Sequence, residues 1–223
     1  MRYPAALLLA LTAALTCGAQ DDRPPSTEEA MSKPSPLVRE GRMRVADALA
    51  LAFSSSTLAG GLQLIRCGRE EALVDVKDHA SLKSIVDQAI AAAPHSKVEF
   101  SKEGAINLSL PGTTVAFLET RIGAADIEMP QHNGNVAISA LFSLPEVKLA
   151  VQTLGLTQVA GPMGFSRLPR PGSAAKIDRI ALGDVTVRDA LNEIALRLGN
   201  GFWVYEEDRC AERREFSISF RVD

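Results

Sequence analysis

The stretch "VRDALNEIALRLGNGFWVY", Val187–Tyr205, predicts an amphipathic helix followed by a strand. Its apolar residues follow the helical spacing i, i+3, i+4, i+7, i+8, i+11, so they share one face. We expect Leu191 on that face to be buried and Arg188 on the opposite face to be exposed. The "GNG" segment ends the helix, because glycine takes the left-handed conformation that closes one. "FWVY" is then a strand in which at least one of its two alternating residue pairs belongs to the core.

The helix and strand arrangement of this stretch occurs four times in the chain. A second clear copy starts at Leu82 and places Val86 on its buried face, and an earlier copy is "VADALALAFSSSTLAGGLQLI", Val45–Ile65. The fourth copy begins at Val136 and is interrupted by Pro145. Proline lacks the N–H that an interior helical position needs, so we expect Pro145 to start a second short helix.

Polar residues mark the starts of the two clearest helices. Ser81 and Thr186 stand just before the apolar faces, where a side-chain oxygen can accept a hydrogen bond from a free backbone N–H. Asp189 follows Thr186 at the spacing of a capping box. Both helix starts are therefore encoded locally.

The order of these elements predicts the fold class. Strand patterns such as "ALVDV", "KVEF", "INLSL" and "IDRIAL" lie between the helices, and the order found in residues 37–112 recurs in residues 115–223. A helix with one apolar stripe must be covered by a sheet with one apolar face. We therefore predict an α+β fold of two tandem modules, each with two amphipathic helices packed on small, mostly antiparallel sheets.

The C-terminal strand pattern "FSISFRV" alternates cleanly between apolar and polar residues. Its polar positions, Ser217, Ser219 and Arg221, fall on one face, which we expect to be in contact with water. An exposed strand of this kind can accept a partner strand through unpaired backbone groups. These three residues are therefore candidate partner-binding residues.

The N-terminal residues predict export from the cytoplasm. Arg2 precedes the apolar run "ALLLALTAAL", which is short for a membrane span, and small residues follow it. We expect residues 1–19 to be a signal peptide cleaved after Ala19, and acylation of Cys17 as a lipoprotein remains an alternative. The polar, proline-rich residues 20–36 predict a disordered linker. We expect no transmembrane segment in the mature chain, which would be periplasmic or secreted.

A long segment in the second module is the other candidate for partner binding. Residues 158–175 are rich in glycine and proline, and a loop of this length is either functional or disordered. Arg167 and Arg170 flank Leu168, which suggests a docking peptide, while plain disorder is the alternative. We predict a flexible loop here.

Cys67 and Cys210 are the two cysteines that remain after signal removal. Each follows an arginine shortly after a predicted strand, and both would mature in an oxidising compartment. We predict a disulfide between them. The alternative is two independent thiols, because the sequence does not show that their Cα atoms approach each other.

The sequence contains little that indicates chemistry. A net charge of −3 with pI near 5.7 gives no broad basic surface for nucleic acid. The three histidines are far apart and lack the spacing of a metal site. A Ser-x-x-Lys arrangement, Ser173–Lys176, lacks the companion motifs of the serine enzymes that use it, and "REE" and "YEEDR" resemble solvated turns. We predict no catalytic residue, no metal and no cofactor.

Two stretches carry a resemblance to a known family. "VDVKDHASLKSIVDQAIAAAPHSKVEFSKEGAINL" and "IDRIALGDVTVRDALNEIALRLGNGFWVYEE" resemble the short N-terminal domain of secretins and TonB-dependent receptors. Preceded by "VADALALAFSSSTLAGGLQLI", the first also resembles the longer periplasmic N-terminal domain of secretins. The resemblance covers most of residues 40–220. It implies periplasmic modules that dock onto other proteins of a secretion or TonB-dependent transport and signalling system.

These observations favour a non-catalytic docking protein of the cell envelope, with an envelope protein as its partner. Two alternatives stay open. The first is an envelope hydrolase whose residues meet only in three dimensions. The second is a small-ligand binder that uses the cleft between the modules, where "FWVY" would supply aromatic surface.

Overall fold

Helices and strands occur in similar proportions, 34% and 36%, which makes this an α+β fold. The computed structural model describes residues 26–67, 73–93, 95–130, 133–159, 177–199, 201–210 and 214–221. The helices are α1 Thr27–Ser32, α2 Val45–Ser54, α3 Leu82–Ala92, α4 Gly134–Ser143, α5 Pro145–Thr153 and α6 Val187–Arg197. The strands are β1 Gly41–Arg44, β2 Gly60–Arg66, β3 Leu73–Val76, β4 Lys97–Phe100, β5 Ile106–Leu110, β6 Arg121–Ile122, β7 Ala125–Pro130, β8 Leu156–Gln158, β9 Ile177–Leu182, β10 Val185–Thr186, β11 Phe202–Asp208 and β12 Arg214–Arg221.

A six-stranded sheet in the order β4-β5-β2-β11-β12-β8 forms the centre of the molecule. Three of its pairings are parallel, namely β5 with β2, β2 with β11, and β12 with β8, and the other two are antiparallel hairpins. Two-stranded antiparallel sheets, β1-β3, β7-β9 and β6-β10, lie outside it. The prediction that each module has its own small, mostly antiparallel sheets is therefore wrong, because strands from both halves of the chain pair in one mixed sheet.

The pairing of β2 with β11, here called the seam, joins the two halves. It extends over seven residue pairs, from Gly60 opposite Phe202 to Arg66 opposite Asp208. A side chain at Gly61 would overlap the Trp203 indole, so only glycine lets the two strands come together with this ring between them. The "LAGG" segment thus contributes strand residues and close packing.

Both faces of the central sheet are covered. The first face carries Leu62 and Val204 and packs against α2 and α3, in what we call the first core. The second face carries Trp203 and Tyr205 and packs in a core with α4, α5 and α6. Because helices lie on both sides of β11, both residue pairs of "FWVY" are buried rather than only one.

The local signals at the helix ends are confirmed. The Ser81 side chain accepts a hydrogen bond from Ser84 N (3.2 Å), and Thr186 forms a complete capping box with Asp189. Pro145 begins α5. The predicted inward positions are also confirmed, because Val86 is 4% and Leu191 is 0% exposed.

Residues 26–36 are not the disordered linker that their composition predicts. They contain α1, whose N-cap Ser26 accepts a hydrogen bond from Glu29 N (3.2 Å), and Met31 packs in the first core. Pro34 then forms a β-bridge with Ser81. Two buried apolar side chains, those of Ala30 and Met31, and one backbone bridge hold this polar segment in place. Residues 20–25 and the predicted signal peptide with Cys17 lie outside the described residues.

The polar face of β12 is buried, which contradicts the expectation that it contacts water. Ser217 and Ser219 are 7% and 5% exposed. Ser219 lies opposite Val204, on the sheet face that α2 and the first core cover. Arg221 pairs with Asp47 of α2. The sequence pattern shows a polar face correctly but not the helix that covers it.

In the described part of the chain, no single helix is both long and apolar enough to cross a membrane. Only α4 and α5 taken together meet those two criteria, and they are bent by 74° relative to each other.

Candidate functional site

The structure places the predicted site residues in three different situations. Arg167, Leu168 and Arg170 lie outside the described residues, as does most of the predicted loop 158–175. Ser217, Ser219 and Arg221 belong to β12, which lies between β11 and β8 and is not the edge of the sheet. They are therefore not an exposed partner-binding row, and the candidate interaction surface must be sought elsewhere.

The cysteine pair lies at the end of the seam. Cys67 and Cys210 form a disulfide with their Cα atoms 4.8 Å apart, although 143 positions separate them in sequence. Parallel pairing explains the proximity, because β2 and β11 end side by side and Arg209 N donates to Arg66 O (3.0 Å) just before the bridge. The disulfide closes the junction between the two halves.

The open edge of β4 is the best candidate for protein binding. Ser101 and Ala105 lie opposite each other just beyond the paired residues of β4 and β5. Ser101 N donates to Ala105 O (2.8 Å), so these two residues form a hydrogen-bonded pair of the antiparallel ladder. Bonded and non-bonded pairs alternate along an antiparallel ladder, which turns the N–H and C=O groups of Val98 and Phe100 away from β5. No other described strand pairs with β4 on that side. We call this side of Lys97–Phe100 the β4 edge.

Phe100 is the most exposed aromatic residue of the described chain, with 58% of its surface accessible. It follows its helix N-cap, Ser81, by as many residues as Tyr205 follows Thr186, and each belongs to the first strand of a hairpin. Tyr205 is 0% exposed and has β2 beside it. Phe100 therefore occupies the position that is buried in the second half, but it lacks the neighbouring strand. Sequence reasoning missed this residue, although the repeat itself contained the signal.

A polar cleft of about 320 Å³ opens on the second face of the sheet, between the two halves. Its wall includes side chains from β4 and β5, from the start of α6, and from the connection between the halves; they are Lys97, Glu99, Ser109, Thr113, Thr114, Glu119, Thr186, Arg188 and Asp189, with Gly112. The lining carries side chains of both charges and is mostly polar. Such a cleft suits a small polar ligand rather than a hydrophobic one.

Arg188 at this cleft is 13% exposed, so the expectation that it faces solvent is wrong. Its Nη2 donates to Gln63 Oε1 (3.0 Å) and its Nε donates to Glu119 Oε1 (3.1 Å). The chain before α6 explains the burial, because Leu118 O and Thr120 O accept hydrogen bonds from the first turn of the helix and bring that segment over it. Arg188 thus links α6, β2 and the connecting segment.

Several buried side-chain polar atoms have no hydrogen-bond partner among the described residues, and of the residues that carry these atoms only Arg188 lines the cleft. They include Nη1 of Arg188, Oδ1 of Asn107 on β5, and Nδ2 of Asn192, whose Oδ1 accepts from Trp203 Nε1 (2.9 Å). An unpaired buried polar atom costs about 1–3 kcal/mol of stability.

Glu207 forms a buried ionic cluster at the end of the seam, although the sequence suggests a solvated turn. Its side chain is 0% exposed and accepts hydrogen bonds from Arg209 Nε (3.1 Å), Arg214 Nε (3.0 Å) and Tyr205 Oη (2.9 Å). Burial alone raises the pKa of Glu207, but the bonds from Arg214, Tyr205 and Arg209 outweigh it and lower that pKa below its ordinary value. Burial, and then the Glu207 charge, raise the pKa of the Tyr205 hydroxyl. We assign this cluster a structural role.

No group of three or more His, Cys, Asp or Glu residues in the described ranges is arranged to hold a metal ion. His79 and His95 lie in loops with left-handed backbone, at φ 57° and 62°. Both "REE", residues 69–71, and Ser173–Lys176 lie outside the described residues.

No protein-family model matches this chain, and neither does any curated protein or solved structure compared with it. The resemblance to the short N-terminal domain of secretins and TonB-dependent receptors stays a prediction.

Proposed function

We propose that this chain is a non-catalytic docking protein of the cell envelope, which binds a partner protein by accepting a strand at the β4 edge. The exposure of Phe100 beside outward-facing backbone groups carries this proposal. Strand addition obtains affinity from main-chain hydrogen bonds and specificity from alternate side chains. The β4 edge offers both, because Val98 and Phe100 supply backbone donors and acceptors and Phe100 supplies an apolar contact.

The Cys67–Cys210 bridge supports an envelope location. Disulfides form and persist in oxidising compartments such as the periplasm and are rare in the cytoplasm. Together with the predicted signal peptide, the bridge favours a periplasmic or secreted protein. An association with a secretion system or with TonB-dependent transport rests on the family resemblance alone.

Site-specific photocrosslinking in living cells tests the docking function. A photoreactive phenylalanine analogue replaces Phe100 in one strain and Arg179, an exposed residue on β9, in the control strain. We expect illumination to produce one defined crosslinked protein from position 100 and none from position 179. An identical crosslink pattern at both positions, or none at either, would contradict docking at the β4 edge.

A second candidate function is the binding of a small anion in the polar cleft, which the two cations in its wall, Lys97 and Arg188, favour. A guanidinium binds carboxylates through paired N–H donors. Isothermal titration with acetate and succinate tests this function, with Arg188→Gln as the variant and Arg179→Gln as the surface control. Saturable binding that only Arg188→Gln abolishes is expected, whereas unchanged binding in that variant would eliminate the cleft as the site.

A further inference from the structure

We infer that the strand accepted at the β4 edge is β8 of a second copy of this chain, so that copies join head to tail in one continuous sheet. This inference rests on the proposed function, because it requires the β4 edge to accept a strand. The evidence for it is the rotation and shift that relate the two halves of the molecule to each other.

Each half contributes the same set of three strands to the central sheet. The first half supplies the hairpin β4–β5 and then β2, which is parallel to β5. The second half supplies the hairpin β11–β12 and then β8, which is parallel to β12. Across the sheet, the strands of both halves therefore follow the same order, which is the first hairpin strand, the second hairpin strand and then the third strand.

The strand directions and the covered faces are reversed between the halves. Since β2 is parallel to β11 at the seam, each strand of the second half runs opposite to its counterpart in the first. The helices of the first half pack on one face and those of the second half on the other. A half-turn about an axis across the strands, combined with a shift of three strands, relates the two halves.

Such a relation is heterologous, because the first half contributes β2 to the seam and the second half contributes β11. A heterologous contact joins two different surfaces, so each joined copy keeps one surface free. The same contact can therefore be repeated with a further copy. The counterpart of β2 is β8, and the counterpart of β11 is β4. These two strands are the two ends of the six-stranded sheet. Repeating the seam relation places β8 of one copy parallel to β4 of the next.

The outer side of β8 offers the backbone groups that this contact needs. Val159 N donates to Phe216 O (2.8 Å), and Phe216 lies opposite Gln158. In a parallel ladder this arrangement directs the groups of Thr157 and Val159 toward β12 and those of Gln158 away from it. Among the described strands, none pairs with β8 on that outer side.

Exposed apolar residues mark both ends of the sheet. Phe100 lies at the β4 end, while Val159 directly follows β8 and is 38% exposed. Leu149 is 62% exposed on α5, the helix that contacts β8. Large apolar residues exposed near unpaired strands are typical of interaction surfaces. Because β8 itself carries no charged side chain, it brings no like charge against Lys97 or Glu99 of β4.

Proline substitutions at the two ends test this inference. The N–H groups of Phe100 and Gln158 point outward, so proline at either position leaves the internal ladders intact and blocks the added strand. Sedimentation equilibrium of the purified chain should show a mass that rises with concentration to two and more times the monomer mass. Phe100→Pro and Gln158→Pro should each remain monomeric, and Val136→Ser, at an exposed position on α4, should associate like the wild type.

Mixing the two proline variants distinguishes a head-to-tail contact from any other. Phe100→Pro retains an intact β8 and Gln158→Pro retains an intact β4, so an equimolar mixture should form dimers and nothing larger. Circular dichroism checks folding, and Phe100→Asp, which leaves the backbone unchanged, replaces Phe100→Pro if that variant unfolds. A wild-type chain that stays monomeric, or a mixture that stays monomeric, overturns the inference. A monomeric wild type whose position 100 still crosslinks a different protein overturns this inference and leaves the docking function in place.

Discussion

The sequence around Glu207 is typical of a solvated turn, but the tertiary structure places this residue in the core. It lies on the second face of β11, where the hairpin and the seam exclude water from its carboxylate. Burying a charge costs free energy unless it is paired and hydrogen-bonded, and Glu207 has two arginines and a tyrosine hydroxyl as partners. The carboxylate therefore stabilises the fold only while all three donors remain in place.

We expect Glu207→Gln to lower the free energy of unfolding at pH 7 by about 1.5–3 kcal/mol, because the buried side chain loses the charge that strengthens its hydrogen bonds from Arg209 and Arg214, whose own side chains are partly exposed. The pKa of Glu207 is lowered in the folded state, so its stabilising contribution is complete above the ordinary carboxyl pKa and is lost as the pH falls through the lowered value. Urea unfolding at pH 7 and at several acidic pH values should show the difference from wild type shrinking with acidification. Glu206→Gln is the matched control, because Glu206 lies on the other face and its nearest cation, Arg66, is 3.8 Å away. Equal effects of the two substitutions would contradict the assigned role.

Helix α1 is the element whose formation depends most on tertiary contacts. Six residues are too few for a helix to be stable alone, since nucleation is costly. The Ser26 cap satisfies one backbone donor, and Met31 adds apolar burial against the first core. The contact of α1 with α3 then supports the start of the described chain.

We expect Met31→Ala to lower the free energy of unfolding by about 2 kcal/mol, at the lower end of the range for buried methionine because α1 lies at the surface. The same variant should be cut by protease within residues 26–36 before the core is cut. Glu29→Ala, at an exposed position of the same helix, is the control and should change stability by less than about 1 kcal/mol. Unfolding curves in urea that coincide for Met31→Ala and wild type would show that α1 does not dock.

The whole molecule is held together at the seam, where two strands distant in sequence become neighbours. Backbone pairing of β2 with β11, the Trp203 ring packed over Gly61, and the Cys67–Cys210 bridge all act at this junction. The two cores lie on opposite faces of the shared sheet, so a change at the seam affects both. Unfolding of one half should therefore be coupled to unfolding of the other.

We expect loss of the disulfide to lower the free energy of unfolding by about 4–5 kcal/mol in the chain-entropy model, because the bridge closes a loop of 143 residues. Cys67→Ser, Cys210→Ser and the double variant should have nearly equal effects, since each removes the same bridge. Thiol titration of the purified protein, denatured without reductant, should find neither cysteine free. Two reactive thiols, or additive effects of the two single substitutions, would contradict a bridge between this pair.

The sequence alone determined the features that depend on near neighbours. The capping of α3 and α6, the start of α5 at Pro145 and the buried positions of Val86 and Leu191 follow from side-chain spacing and local hydrogen bonds. The α+β class follows from the order of these elements. Even the duplication that underlies the seam is visible as a repeated pattern.

Only the tertiary structure decided what covers each face and which strands pair. Ser219 is polar by sequence and buried because α2 and the first core cover its face, and Arg188 is buried because a distant segment crosses α6. Alternation along a strand shows that its two faces differ, but it does not reveal the neighbour on each face. The pairing of β2 with β11 brings together residues 143 positions apart at Cys67 and Cys210, a distance over which no local pattern operates. The pairing of β8 with β12 likewise joins distant residues, and it leaves β4 and β8 rather than β12 as the open edges of the sheet.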